Sequence, residues 1–140
     1  MIIENIKIKN YKGFEDCSVD FHPNVNVFIG SNASGKTTLL EAVLKSIYFL
    51  THPFAPSVSE SENLNLKFDD INYNATSCKI QLSLTKFPKY NDEVVLGIEC
   101  NPHTEYLSDI FPVTISKSYE NFANWLIALT KIRPITIPIV

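Results

Sequence analysis

Apolar and polar residues alternate at the start of the chain. In "IENIKIKNYKGF", Ile6, Ile8 and Asn10 share one phase while Lys7, Lys9 and Tyr11 share the other, which is the two-residue period of a half-buried strand. Gly13 marks a turn after it. "CSVDFH" places Val19 and Phe21 on one face as a second short strand, and Pro23-Asn24 punctuates before a third, "VNVFIG" over 25–30. The simplest reading is a hairpin followed by a core strand.

From Lys36 the period becomes helical. Leu40, Val43, Leu44 and Ile47 fall at i, i+3, i+4 and i+7, with Leu39 and Phe49 adding apolar surface on another side, so the helix is expected to pack on more than one neighbour. It should stop by His52, because Pro53 and Pro56 cannot continue it. "APSVSESEN", residues 55–63, reads as an exposed loop. "CKIQLSLTKF" then sets Ile80, Leu82 and Leu84 against Lys79, Gln81 and Ser83, and "PKYND" joins it to the apolar "DEVVLGIEC" as an antiparallel hairpin. Ser118 suits the N-cap of a second helix with Phe122, Trp125, Leu126 and Leu129 on one stripe and Lys131 at its cation-favouring end. The final "IRPITIPIV" alternates Ile135, Ile137 and Ile139, and Pro138 confines it to an edge if it is a strand. The chain finishes on an apolar valine, Val140, which leads us to expect the front part of a longer protein. No internal repeat is visible.

Composition narrows the class without naming a partner. The 140 residues suffice for one buried core. A net charge of -3, with Arg133 as the sole arginine, leaves no polycationic face that would announce nucleic acid. Cys17, Cys78 and Cys100 are odd in number and isolated, with no Cys-x-x-Cys, which favours reduced buried thiols and a cytoplasmic home. No apolar run reaches the 18 or so residues of a membrane span, and no basic-then-apolar leader opens the chain.

The chemistry sits in "GSNASGKTT". Gly30, Gly35, Lys36 and Thr37 satisfy G-x-x-x-x-G-K-[ST], with an apolar run leading in and an amphipathic helix leading out. The glycines let the amides of Ser31, Asn32, Ala33, Ser34, Gly35 and Lys36 turn inward as an anion nest, and the helix directs the positive end of its dipole at the same spot. Lys36 offers a point charge to β- and γ-phosphate oxygens, Thr37 a hydroxyl to Mg²⁺, and Thr38 is placed for the α-phosphate. ATP with Mg²⁺ is the expected ligand. The glycines could instead serve only a strand-to-helix turn.

Over residues 1–50 the chain resembles ABC-type ATPases of the structural-maintenance-of-chromosomes, RecF-type and OLD-type group, through "IENIKIKNYKGFEDCSVDF" and "NVNVFIGSNASGKTTLLEAV". It looks most like AAA-family ATPases of bacterial anti-phage systems such as Septu and some retrons. The resemblance implies an α/β fold, the N-terminal lobe of an ABC-type P-loop NTPase, with a mixed sheet, antiparallel hairpins and two main helices, incomplete as it stands. It divides the chain into a nucleotide-binding core at 1–54, an exposed loop at 55–75 and a β-rich arm plus helix at 76–140. It also implies that Lys12, in "NYKGF", lies near the nucleotide's sugar or phosphates, although a solvated turn lysine reads equally well. A homodimer, a nuclease partner and nucleic acid enter by family analogy alone. Ala33 departs from the glycine of transporter-type loops.

The family hydrolyses ATP with two further parts, an apolar strand ending in Asp-Glu and an "LSxG"-like signature. Neither is visible: no glycine follows Gly97, "LKFDD" (Asp69, Asp70) is interrupted by Lys67, and Glu99 belongs to the expected hairpin. Gln81 reads as a surface residue, and His22, His52 and His103 as exposed. The catalytic residue is therefore unassigned, and binding without turnover is expected of this segment. A small P-loop kinase fits poorly with a single arginine, and a GTPase lacks Asn-Lys-x-Asp. A non-catalytic ATP-binding interaction module remains as the alternative.

Overall fold

The computed structural model describes residues 1–51, 66–86, 94–100 and 113–130. Its elements are β1 (Ile2–Tyr11), β2 (Phe14–Asp20), α1 (Lys36–Thr51), a single 3-10 turn at Phe68–Asp70, β3 (Cys78–Thr85), β4 (Val94–Cys100), β5 (Val113–Ile115) and α2 (Lys117–Thr130). The strands form one five-stranded sheet in the order β2-β1-β3-β4-β5, and every ladder among the described residues is antiparallel.

Register turns the alternation of the sequence into a buried face. Ile6 lies opposite Leu82, which lies opposite Leu96; Ile8, Ile80 and Ile98 make the next row. All six are at most 1% exposed. The intervening positions Lys7 and Lys9 are exposed, with Gln81 beside them half-buried, as their phase requires. Phe122 and Leu126 of α2 and Leu39 and Ala42 of α1 join the same core. Trp125 stacks on Phe122 with ring centroids 5.5 Å apart, so it packs rather than offering a free platform.

Four expectations need correction. "VNVFIG" forms no ladder among the described residues: Val25, Val27 and Ile29 are 71, 75 and 91% exposed. Alternation specifies an extended backbone, but a strand also needs a pairing neighbour, and none of the described strands pairs with it. In α1 the buried face is Leu39, Ala42, Lys45 and Ser46, whereas Leu40 and Leu44 of the expected stripe are half-exposed. Tyr11 is fully buried although its phase belongs to solvent; the alternation breaks at Asn10, whose φ is +53°. Ser116, not Ser118, precedes α2 and accepts the amide of Glu120 on its carbonyl, while Ser118 Oγ accepts from Val95 N.

Within the expected 55–75 loop, residues 66–75 alternate between buried positions (Leu66, Asp70, Asn72) and exposed ones (Phe68, Tyr73). The 55–63 loop, His52, His103, Lys131 and the terminal alternating segment lie outside the described residues. His22 is exposed, as read from sequence, and the first helix is described as far as Thr51, with the expected stop at His52 outside the described residues.

Candidate functional site

Ser31 to Gly35 cross from the extended segment to α1 through a tight turn, closed by Ser34 N donating to Ser31 O at 3.3 Å. Two residues there take left-handed torsions: Ala33 at φ +64° and Gly35 at φ +89°. A left-handed Ala costs about 1–2 kcal/mol relative to the right-handed region, so the surroundings must impose it. Gly35 is forced on two counts, because a Cβ there would also lie 2.6 Å from Phe14 Cζ. At Gly30 a Cβ would meet Ser34 Oγ at 2.8 Å, a contact that the serine hydroxyl can relieve by turning away.

The helix begins at Lys36, with Leu39 N donating to Gly35 O at 2.9 Å as its first intrahelical bond. The amides before Leu39 have no acceptor within the helix, and the aligned peptide dipoles add partial positive charge there. No acidic side chain occupies this first turn to neutralise it. Lys36 folds back over the loop, its Nζ donating to Gly30 O (2.8 Å), Ser31 O (2.6 Å) and Ser34 Oγ (3.1 Å). Its ammonium is thus held at the mouth by neutral acceptors, which an anionic oxygen can displace because charge-assisted bonds are stronger.

Asn32 to Thr38 line a cavity of about 680 Å³ with Gly13 and Phe14 of the β1–β2 turn. That volume falls within the range of about 300–1,000 Å³ usual for ligand sites. The Thr37 side chain is exposed and Thr38 half-buried at its wall. The donor set fits a triphosphate: backbone amides, one ammonium and hydroxyls, with Thr37 the residue able to ligate Mg²⁺ alongside phosphate oxygens.

Lys12 adjoins this cavity without lining it. Its Nζ pairs with Glu41 Oε2 at 2.6 Å and Asp70 Oδ1 at 3.6 Å. Lys45, 2% exposed, pairs with Asp70 Oδ2 at 2.6 Å and Glu41 Oε1 at 3.8 Å. Asp70 also accepts from Lys67 N at 2.8 Å. It is therefore fully engaged in holding structure, and Glu99 sits in β4 beside Lys79 at 3.7 Å, so neither carboxylate approaches the cavity. The Tyr11 hydroxyl is buried with no hydrogen-bond partner among the described residues, and burial, then the Asp70 and Glu41 carboxylates, push its pKa up.

Sequence reasoning missed Gly13, Phe14, Glu41, Lys45 and Asn72 as parts of this site. Gly13-Phe14 carried a signal as a turn next to Lys12; the buried Lys45 carried none, because its partner lies 25 residues away.

With this geometry in place, kinship becomes informative. The AAA ATPase domain family matches residues 1–133. The chain belongs to that family. This AAA ATPase domain is 31% identical over 129 residues to the DNA replication and repair protein RecF of Alkaliphilus oremlandii, covering 92% of the chain and 32% of the relative. It is 51% identical over 43 residues to RecF of Lactococcus lactis subsp. cremoris, covering 31% of the chain and 12% of the relative. The chain thus spans about a third or less of the curated relatives it matches. A solved structure from work on the ATP-driven dimerization and DNA stimulated activation of SMC ATPases superposes with a TM-score of 0.60 at 18% identity, covering 93% of this chain and 80% of that one. At that identity the likeness shows the fold. Together these support the SMC/RecF-like P-loop ATPase group, and the expected α/β lobe with antiparallel hairpins and two main helices is borne out. None of the described helices is long and apolar enough to cross a membrane.

Proposed function

We propose that this AAA ATPase domain grips the β- and γ-phosphates of ATP·Mg²⁺ in the loop Gly30–Thr38, as the nucleotide-binding part of an SMC/RecF-like ATPase. One observation carries the reading: Lys36 Nζ is clasped by the carbonyls of Gly30 and Ser31 in a loop that, with the first turn of α1, lines the cavity. In this reading the amides of Ser31 to Lys36 supply the nest, the Lys36 ammonium and Thr38 contact phosphate oxygens, and Thr37 ligates the metal. The core at 1–54 and the arm at 76–140 then act as one lobe in the cytoplasm.

ATP binding drives homodimerisation in the full-length protein and so controls a nucleic-acid-related or anti-phage activity, with a nuclease as partner. That part of the proposal rests on the family and on what its SMC neighbour is described as doing. Hydrolysis draws on an acidic strand and a signature that residues 1–140 do not supply.

The test is calorimetric titration of ATP·Mg²⁺ into wild type and Lys36→Ala. Wild type binds; the variant loses binding at least about 100-fold while keeping its melting temperature, since a phosphate-contacting ammonium contributes roughly 2–3 kcal/mol. Equal affinity in both would refute the reading, and phosphate release by residues 1–140 above the buffer rate would show that the catalytic acid lies within them.

A further inference from the structure

Cys78 and Cys100 face each other across β3 and β4, away from the cavity of the phosphate loop. They are the last pair of that ladder, at the end of the hairpin opposite to the connection between Thr85 and Val94. Both take the phase of Ile80, Leu82, Leu96 and Ile98, so both thiols project onto the one buried face of the sheet, at 1 and 0% exposure. Both are free. Cys17, by contrast, lies opposite Ile8 and has no cysteine across from it.

Backbone bonding fixes how close the two stand. Gly97 N donates to Ser116 Oγ, Gly97 O accepts from Ser116 N, and Val95 N donates to Ser118 Oγ. Those residues direct their backbone groups away from β3, so the alternate residues Leu96, Ile98 and Cys100 turn theirs toward it. Cys78 and Cys100 are therefore a hydrogen-bonded pair, whose Cα atoms lie about 5.5 Å apart, inside the span of about 4.4–6.8 Å that a disulfide bridges. Their Cβ atoms, about 4.5–5.5 Å apart in such pairs, must draw in toward the roughly 3.5–4.5 Å of a relaxed bridge. A bridge here closes under strain, and strained disulfides are the readily reduced ones.

Position also supplies access. The β1–β3 register ends at Lys9 opposite Lys79, and Cys100 opposite Val113 ends the β4–β5 register. The pair thus stands where the ladders stop, and ladder ends open at lower cost than their middles. Lys45 and Asp70 act on both thiols, the ammonium favouring the thiolate and the carboxylate opposing it.

We propose that Cys78 and Cys100 form a reversible disulfide that staples β3 to β4 and makes this sheet a redox-sensitive element of the protein. The co-reactant is a low-molecular-weight disulfide of the glutathione class. One protein thiolate attacks a sulfur of that disulfide and expels one small thiolate; the second attacks the protein sulfur of the mixed disulfide and expels the other. One S–S bond forms as one breaks, the two cysteines are oxidised, and the small disulfide is reduced to two thiols that take up the two protons. The bridge turns the hairpin 78–100 into a closed ring, which removes freedom from the unfolded chain. This proposal stands independently of the nucleotide reading.

The experiment equilibrates the full-length protein at pH 8 in glutathione buffers from fully reduced to fully oxidised, quenches by alkylation, and maps the peptides by mass spectrometry. In the oxidised buffers Cys78 and Cys100 are recovered as one cross-linked peptide pair, while Cys17 is recovered alkylated or carrying glutathione. Bridge formation speeds up in sub-denaturing urea, because exchange waits on opening of the ladder end. The oxidised protein melts about 3–8 °C above the reduced one. Excess reduced glutathione restores both free thiols and the lower melting temperature. The measurement needs no substitution in the core, and Cys17→Ser, at a half-buried position, leaves every one of these results in place.

Separate glutathione adducts on Cys78 and Cys100, a link from either to Cys17, or two alkylated thiols in the most oxidising buffer would overturn the proposal. A bridge that lowers the melting temperature overturns it as well, since the native register then fails to accommodate it. So does a bridge that survives excess reduced glutathione, because it is then a permanent staple and senses nothing.

Discussion

Phe14 and Gly35 are in contact so close that the ring of one occupies the place of a side chain on the other: a Cβ on Gly35 would lie 2.6 Å from Phe14 Cζ and 3.1 Å from Cε1. Gly35 also sits at φ +89°, outside the region an L side chain adopts readily. Two independent constraints therefore act on one position. Gly35→Ala should cost about 1–3 kcal/mol in urea unfolding and greatly weaken ATP binding, because the torsion and the contact cannot both be kept. Adding Phe14→Ala removes the clash and leaves the torsion, so it should restore only part of the stability. Full restoration would show that the torsion carries no strain.

The Lys45–Asp70 pair gives a second expectation. Both side chains are nearly inaccessible, at 2 and 7% exposure, and they sit 2.6 Å apart. Asp70→Ala takes from a buried ammonium its carboxylate at 2.6 Å, with Glu41 standing 3.8 Å away, and takes from Lys67 N the Asp70 acceptor. A loss of about 3–5 kcal/mol is expected from one-sided removal, and a much smaller one from the apolar pair Lys45→Met with Asp70→Leu. Urea unfolding of the three proteins decides it. A cost below about 1 kcal/mol for Asp70→Ala would mean that Lys45 repartners with Glu41 or with water.

These two sites show where sequence reading succeeds and where it stops. The two-residue period found β1 and β3 because alternation is written within each strand, whatever partner it takes. The Gly30–Thr38 turn into α1 was legible for the same reason: the Gly35 torsion, the lysine and the threonine are all local. The 25–30 segment failed because Val25, Val27 and Ile29 encode an extended conformation but cannot encode who pairs with it. Leu40 and Leu44 misled in a similar way: an apolar stripe announces that a face wants covering, and the face that the sheet covers carries Lys45 instead. A buried lysine is admissible only once Asp70 has been brought to it by tertiary structure. Lys12, Glu41 and Asn72 belong to the same category, since each takes its meaning from a partner 29 or more residues away.

The thiols supply a prediction in pH. Cys78 and Cys100 lie directly opposite each other across β3 and β4, both buried and both free. Burial, then the neighbouring Cys100 and the Asp70 carboxylate, push the Cys78 thiol up to about 12 from an ordinary value of 9.0. Burial raises Cys100 as well. Below pH 9 both folded and unfolded chains keep the Cys78 proton, so its contribution to stability is fully present. As pH rises from about 9 toward about 12 the unfolded chain releases that proton while the folded one retains it, so unfolding becomes progressively easier. Stability measured by urea should therefore be flat near neutrality and decline through this alkaline window. Cys78→Ala should lower stability at pH 8, through the lost packing, and flatten the decline. A thiol-reactive dye at pH 8 should label half-buried Cys17 first and reach Cys78 and Cys100 only at the rate of opening, with urea making all three react together. Fast labelling of all three in the native protein, or an alkaline slope unchanged by Cys78→Ala, would show that these thiols are not sealed between the sheet and α1.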